Sequence, residues 1–237
     1  MSNSYFQFKQ FRIDQGETAM KVTTEGCLFG AWVTRLAKSP GRILDIGTGT
    51  GLLALMLAQQ YEKALIDAVE MDEAAANQAV ANFSGSLWRN RLKLHQSEIQ
   101  TYQSEQKYDL IISNPPFYKN SLQSGVANVN LARHDDSLPQ SELLQAIDRL
   151  LAETGRAFVL FPPKEAMAFK ALAAKQGLFA HSVLTVFNSQ GAVPFRMIIE
   201  YGRIQQEVGQ SVLVIKGPTG NYTGDFIELL KGYYLGF

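Results

Sequence analysis

A glycine-rich turn between an apolar stretch and a helical stretch limits what this chain can fold into. Residues 42–51 have the sequence RILDIGTGTG, and the run 52–61 that follows is rich in leucine and alanine. Glycines at 47, 49 and 51 allow the backbone to approach a ligand closely, and the start of a helix presents free N–H groups to it. The pattern predicts a strand, a nucleotide-binding loop and a helix.

The loop is not a dinucleotide site, because position 52, where a third glycine would complete G-x-G-x-x-G, is Leu52. It suits a ligand without pyrophosphate, with Asp45 near a cationic end of that ligand. The next apolar stretch delivers Glu70 about nineteen residues on, the distance at which an acidic side chain binds ribose hydroxyls.

The chemistry is indicated by Asn114, Pro115, Pro116 and Phe117, which follow the apolar run 108–113. An exocyclic amine on a ring is a poor nucleophile because its lone pair is delocalised. The Asn114 side-chain carbonyl and the Pro115 backbone carbonyl, held by residues of fixed φ, are placed to accept its two N–H bonds, and Phe117 to stack on the base. The tetrapeptide alone also fits an Asn-Pro turn. Its position after the glycine loop and Glu70 favours methylation of a planar amine.

With these motifs the chain resembles S-adenosylmethionine-dependent methyltransferases that methylate amino groups. Two further stretches, 20–26 (MKVTTEG) and 132–134 (ARH), are similar to those of the valine-tRNA adenine-N6 methyltransferases, which modify adenosine 37, immediately 3′ of the anticodon. The resemblance implies catalytic roles for Asn114, Pro115, Pro116 and Phe117. It implies donor contacts from Lys21, Thr23, Asp45, Gly47, Thr48, Gly49, Gly51, Glu70, Met71, Ser97, Glu98 and Asn114. Ser97-Glu98 departs from the Gly-Asp pair often found there.

Alternating strands and helices predict an α/β fold with a parallel sheet. Helices are expected over 25–38, 52–61, 73–83, 140–152, 164–176 and 225–230, and strands over 43–46, 65–71, 92–96, 110–113, 157–161, 183–187 and 196–201. The last two strands have no helix between them and predict an antiparallel edge. The resemblance implies a class I Rossmann-like methyltransferase with seven strands and helices on both faces. We expect an N-terminal extension and helix over 1–38, the methyltransferase core over 39–203, and a C-terminal strand and helix over 204–237.

Composition is consistent with an enzyme domain: 46% of the residues are hydrophobic and 19% charged. No membrane span or secretion signal is evident, and the lone Cys27 is expected to be a buried hydrophobe, so a cytoplasmic protein is predicted. The spacing of His95, His134 and His181 does not predict a metal site. We expect no obligate protein partner and, by default, a monomer.

A formal net charge of zero argues against sequence-blind adhesion to nucleic acid, so RNA contacts are expected from a few placed groups. The candidates are Lys9, Arg12, Arg89, Arg91, Lys93 and above all Lys119, in a long polar stretch after the tetrapeptide. Aromatic residues over 5–11 are expected to pack in the core rather than on RNA.

Three other planar amines fit the same motifs: the N6 of adenine in DNA, the N2 of guanine in ribosomal RNA, and the amide of a protein glutamine. A donor-binding module that binds RNA without turnover is the non-enzymatic alternative. The whole-chain resemblance favours tRNA.

Overall fold

The structure is a computed structural model, and it describes residues 3–18, 21–115 and 138–237. The described strands are β1 (Tyr5–Gln7), β2 (Arg12–Asp14), β3 (Arg42–Ile46), β4 (Leu65–Glu70), β5 (Leu92–Gln96), β6 (Tyr108–Ser113), β7 (Leu151–Phe161), β8 (Phe179–Ser189), β9 (Pro194–Gly202) and β10 (Gly209–Lys216). The helices are α1 (Thr24–Leu36), α2 (Leu52–Gln60), α3 (Glu73–Ser84), α4 (Gln140–Leu150), α5 (Pro163–Lys175) and α6 (Gly224–Leu230).

The central sheet has eight strands in the order β10-β8-β9-β7-β6-β3-β4-β5. Neighbours are parallel except that β9 runs antiparallel to both β7 and β8. The sequence-based expectation of a mostly parallel α/β sheet of the class I methyltransferase type is therefore confirmed.

Two details of that expectation are wrong. The sheet has eight strands rather than seven, because β10 joins it beside β8. The pair β8 and β9 consequently does not form the edge, which is occupied by β10. A local alternation of apolar residues identifies a strand but does not say which partner its backbone hydrogen bonds will take.

Helices cover both faces of the sheet and enclose two apolar cores. One core lies between the sheet and α1, α2, α3 and α6 and includes Phe29, Leu55 and Phe226. The other lies between the sheet and the pair α4 and α5 and includes Leu144 and Phe169. Cys27 is completely buried in the first core, as expected, and burial raises the pKa of its thiol to about 12.

Local signals fix several helix ends. The side chain of Asp72 accepts the backbone N–H of Ala75 and caps α3, as its position in the sequence predicts. Gly177 follows the end of α5 with φ of 76° and ends that helix. The side chain of Thr23 caps α1 by accepting the N–H of Gly26.

The β1–β2 hairpin packs against the C-terminal part of the chain. Phe8 is completely buried and forms an isolated antiparallel bridge with Tyr234. The ammonium of Lys9 donates to the carbonyl oxygens of Lys231, at 2.6 Å, and Phe237, at 2.8 Å. Core packing of the N-terminal aromatic residues is thus observed for Phe8 and Phe11, whereas Tyr5 is exposed.

Candidate active site

Apart from Lys21 and Thr23, which precede α1, the sequence-predicted site residues that the structure describes lie at the carboxyl ends of four adjacent parallel strands. Residues 47–51 follow β3, Met71 follows β4, Ser97 follows β5 and Asn114 follows β6. Sheet order reverses around β3, and ligands of open α/β sheets bind at such a point. The fold therefore brings together residues that are spread over more than sixty positions of the chain.

Residues 47–51, here called the donor loop, have positive φ at all three glycines: 71° at Gly47, 56° at Gly49 and 82° at Gly51. A Cβ at Gly47 or Gly49 would meet no atom within 4 Å, so these two glycines border open space. A Cβ at Gly51 would lie 2.5 Å from Cε1 of Phe83. Gly51 is consequently required by packing against α3, and Gly47 and Gly49 leave the room a ligand needs.

Asp45 is completely buried beneath the donor loop. Its Oδ2 accepts the hydroxyl of Thr48 at 2.6 Å and the backbone N–H of Ala54 at 3.2 Å. Its Oδ1 is buried and has no hydrogen-bond partner among the described residues. Burial raises the pKa of this carboxyl to about 7, against the lowering effect of the Thr48 and Ala54 bonds.

Glu70 organises the other side of the loop through both oxygens of its carboxylate. Oε2 accepts the N–H of Gly49 at 2.9 Å, and Oε1 accepts the N–H groups of Met71 and Asp72 at 2.9 and 3.0 Å. An ionised carboxylate has about four acceptor positions. Glu70 therefore has capacity left for a further donor such as a ribose hydroxyl, while Met71 is exposed beside it.

Ser97 and Glu98 adjoin Glu70 at the end of β5. The N–H of Ser97 donates to the carbonyl of Glu70 at 2.9 Å, and the hydroxyl of Ser97 donates to the carbonyl of Glu98 at 3.0 Å. The side chain of Glu98 is exposed. Ser97 is thus held next to the ribose-binding candidate by a backbone hydrogen bond, and an adenine contact from Ser97 and Glu98 stays a prediction.

Asn114 stands beside the start of α1. A Cβ on Gly26 would lie 3.4 Å from Oγ1 of Thr23 and 4.0 Å from Nδ2 of Asn114, so the helix cap and the amide are close neighbours. The Oδ1 of Asn114 is buried and has no partner among the described residues. Pro115 is buried and Lys21 is exposed. Pro116, Phe117, Lys119 and the stretch 132–134 lie outside the described residues.

The free acceptor atoms fit an S-adenosylmethionine donor and an amine acceptor. Such a donor supplies an electrophilic methyl group on a sulfonium, next to an ammonium and a ribose. The buried Oδ1 of Asp45 needs a donor of hydrogen bonds, which an ammonium provides. Glu70 can hold the ribose, and the Oδ1 of Asn114 can accept an N–H from the amine to be methylated.

The relatives found by comparison with known proteins share one name. A protein of Flavobacterium psychrophilum named tRNA1(Val) (adenine(37)-N6)-methyltransferase is 41% identical over 97% of this chain and 99% of its own length. A protein of Dyadobacter fermentans with the same name is 42% identical over 99% of each chain. This chain belongs to the tRNA1(Val) (adenine(37)-N6)-methyltransferase family. A family model described as "Methyltransferase small domain" matches residues 30–141.

Solved structures agree with the fold of this family member. A protein described as a predicted O-methyltransferase from Agrobacterium tumefaciens superposes with a TM-score of 0.65 at 15% identity, covering 87% of this chain and 95% of the other. A glycopeptide N-methyltransferase with S-adenosylmethionine bound superposes with a TM-score of 0.55 at 11% identity, covering 75% and 94%. With the family assignment, two expectations from the sequence are confirmed: the chain is a methyltransferase, and its methyl donor is S-adenosylmethionine.

The basic residues that are predicted from the sequence to contact RNA have different surroundings in the structure. Arg91 donates to the carbonyls of Ala58, Tyr61 and Ala64 at 2.8 to 2.9 Å and thus serves the end of α2. Lys9 holds the C-terminal residues, and Arg12 pairs with Asp14. Arg89 and Lys93 are exposed. The spacing of basic residues in the sequence gives no signal that distinguishes Arg91, which has a structural role, from the exposed Arg89.

His95 also has a structural explanation in the methyltransferase fold. Its Nε2 lies 2.7 Å from Oδ1 of Asp67, whose Oδ2 accepts from Arg42 and from the hydroxyl of Tyr108. A groove of about 240 Å³ borders this network and is also lined by Lys93 and Tyr102. Among residues 3–18, 21–115 and 138–237 there is no cluster of three potential metal ligands and no helix able to cross a membrane.

Proposed function

We propose that this protein transfers the methyl group of S-adenosylmethionine to the N6 amino group of adenosine 37 in valine tRNA. The observation that carries the proposal is the unpartnered Oδ1 of Asn114, buried at the carboxyl end of β6 beside the donor loop. Burial of a carbonyl oxygen that accepts no hydrogen bond costs free energy, and the N–H of a bound amine offsets that cost.

The chain's own groups account for the chemistry. The carbonyl oxygens of Asn114 and Pro115 accept the two N–H bonds of the adenine amine, which draws the nitrogen lone pair out of the ring plane towards the methyl group. A strong general base is unnecessary because the nitrogen becomes more acidic as it is alkylated. Asp45 and Glu70 position the donor from beneath and beside the loop. Phe117 is proposed to stack on the flipped adenine.

Support for the substrate comes from the relatives. Two proteins that match almost the whole chain at 41% and 42% identity carry the name of a methyltransferase for adenine 37 of tRNA1(Val). Bases of an anticodon loop are unpaired and cost little to extrude, and single-stranded loops are where proteins read RNA bases. The valine isoacceptor, a monomeric state and a cytoplasmic location remain part of the proposal.

The test uses purified protein, isotopically labelled S-adenosylmethionine and an unmodified valine tRNA transcript. We expect N6-methyladenosine, mapped by nuclease digestion and mass spectrometry to position 37, and no label on a transcript with guanosine at that position. A duplex DNA rich in adenine, ribosomal RNA and a cell protein extract are assayed in parallel. Label on one of these instead would overturn the substrate, and binding of donor and tRNA without turnover would indicate a non-enzymatic module.

Oligomeric state and isoacceptor choice are checked separately. Light scattering of the protein with and without tRNA is expected to give one chain per complex. Competition between valine tRNA and other tRNAs that carry adenosine 37 is expected to favour valine tRNA by at least tenfold in kcat/KM. Equal rates on all of them would remove the isoacceptor assignment and leave the reaction in place.

A further inference from the structure

Helix α3 carries two buried side-chain amides, and neither belongs to a motif identified in the sequence. Asn82 is 5% exposed and Gln78 is 9% exposed. They lie one helical turn apart and face the N-terminal segment, defined here as residues 3–18. Buried amides of this kind need several hydrogen bonds, so their partners show what they hold in place.

Asn82 joins two parts of the chain that are distant in sequence. Its Oδ1 accepts the backbone N–H of Asp14 at 2.9 Å, and its Nδ2 donates to the carbonyls of Asp14 at 2.9 Å and Thr50 at 2.8 Å. Asp14 ends the β1–β2 hairpin, and Thr50 lies within the donor loop. One side chain therefore binds the N-terminal segment and the donor loop at the same time.

The contact with Thr50 fixes the orientation of one peptide unit of the loop. A trans peptide is planar, with its C=O and N–H pointing in opposite directions. The carbonyl of Thr50 is held by Asn82, and the N–H of Gly51 in the same unit donates to the carbonyl of Thr48 at 2.9 Å. Phe83, the next residue of α3, fills the space beside Gly51. Rotation of this peptide would break both hydrogen bonds.

We propose that Asn82 is a positioning residue for donor binding, which sets the shape of the donor loop through its hydrogen bond to Thr50 while it also binds the N-terminal segment. The inference rests on the proposed role of residues 47–51 in holding S-adenosylmethionine. Gln78 provides the matched comparison, because its Oε1 accepts the N–H of Glu17 at 3.3 Å, in the same segment, without a described contact to the loop.

The segment also leads towards the acceptor side of the site. The Oε1 of Gln15 accepts the backbone N–H of Val22 at 2.8 Å, just before the Thr23 cap that lies near Asn114. Docking of one short segment thus places residues at both ends of the proposed methyl transfer path, with Asn82 as the link to the donor end.

The experiment compares Asn82→Ala and Gln78→Ala by calorimetric titration with S-adenosylmethionine and by thermal unfolding. Both variants are expected to lower the Tm. Only Asn82→Ala is expected to raise the donor Kd, by tenfold or more, with a change below threefold for Gln78→Ala. At saturating donor, kcat of Asn82→Ala is expected to stay within threefold of wild type, so that the loss appears in the donor KM.

Equal changes in donor Kd for the two variants would overturn the proposal, and so would an unchanged Kd in Asn82→Ala. If Asn82→Ala does not fold, Asn82→Thr serves instead, because threonine has nearly the same volume and its single hydroxyl cannot hold both segments. Its donor Kd is expected to rise at least fivefold, and an unchanged Kd would again reject the role. Gly49→Val tests the underlying donor site. Unaltered donor binding in that variant would refute the site itself, whereas loss of binding there with normal binding in Asn82→Ala would refute only the positioning role.

Discussion

The carboxylate of Glu70 accepts the backbone N–H of Gly49 at 2.9 Å and thereby joins the end of β4 to the donor loop. A hydrogen bond from Glu70 to the ribose of the methyl donor would be additional to this bond within the protein. We expect Glu70→Ala to weaken S-adenosylmethionine binding by at least tenfold and to lower the Tm, while Glu70→Gln, which keeps one carbonyl oxygen, should be intermediate. Titration calorimetry measures the first effect. Glu73→Ala, at an exposed position on the next helix, is the control, and an equal loss there would contradict the assignment.

Asp45 is expected to make donor binding depend on pH. Its pKa is raised from 3.8 to about 7 in the donor-free protein, so between these values the folded chain holds a proton that the unfolded chain has released. Stability of the free protein should therefore fall as the pH rises from 4 to 7.

An ammonium beside Asp45 favours the ionised carboxyl, so donor binding should release this proton. The donor Kd is expected to increase about tenfold for each pH unit below 7. Calorimetry between pH 5.5 and 8 measures the slope. Asp45→Asn should flatten this dependence, whereas Asp72→Asn, which preserves the α3 cap, should leave it unchanged. A wild-type Kd that is constant over this range would rule out the Asp45–ammonium contact.

Loss of the Asn114 carbonyl should affect turnover rather than donor binding. Asn114→Ala is expected to reduce kcat at least a hundredfold, the scale seen when one preorganised group of an active site is removed, with donor Kd within threefold of wild type. Single-turnover methylation of valine tRNA is the measurement. The adjacent Ser113→Ala removes a buried hydroxyl that donates to Ile46, and is expected to cost about 1 kcal/mol of stability but little rate. Near-normal turnover by Asn114→Ala would show that another group activates the amine.

Substitution of two donor-loop glycines by alanine should lower the free energy of unfolding by different amounts. Gly47→Ala meets open space and should lose only about 1 kcal/mol, from the strain of positive φ. Gly51→Ala brings the same strain and a Cβ 2.5 Å from Phe83, so a loss of about 3 kcal/mol is expected. Urea unfolding without donor gives both values. Phe83→Leu should recover part of the loss at 51, and a similar cost at both positions would mean that packing on α3 is unimportant.

Sequence order was enough to predict the fold class and the arrangement of the loop, Glu70 and Asn114, because the ends of parallel strands meet at one edge of a sheet. The contribution of β10 to the same sheet was not predictable in this way, since a strand pattern is local and pairing is not. The burial of Asn82 and Gln78 was not predictable for a related reason. On an alanine-rich helix a polar residue is ordinarily solvent-facing, and only the packed N-terminal segment shows that these two amides are buried.

The contact between Lys9 and the carbonyls of Lys231 and Phe237 closes a separation of 222 and 228 positions. Contacts of such long range form slowly, because the intervening chain must be ordered before they are gained. During synthesis the aromatic face of the hairpin can contact Trp88, but its contacts with Tyr234 form only after the residues around Tyr234 have left the ribosome. Since the same hairpin ends at Asp14, which is bound by Asn82, the full set of contacts around the donor loop is expected to form only after the residues around Tyr234 are available.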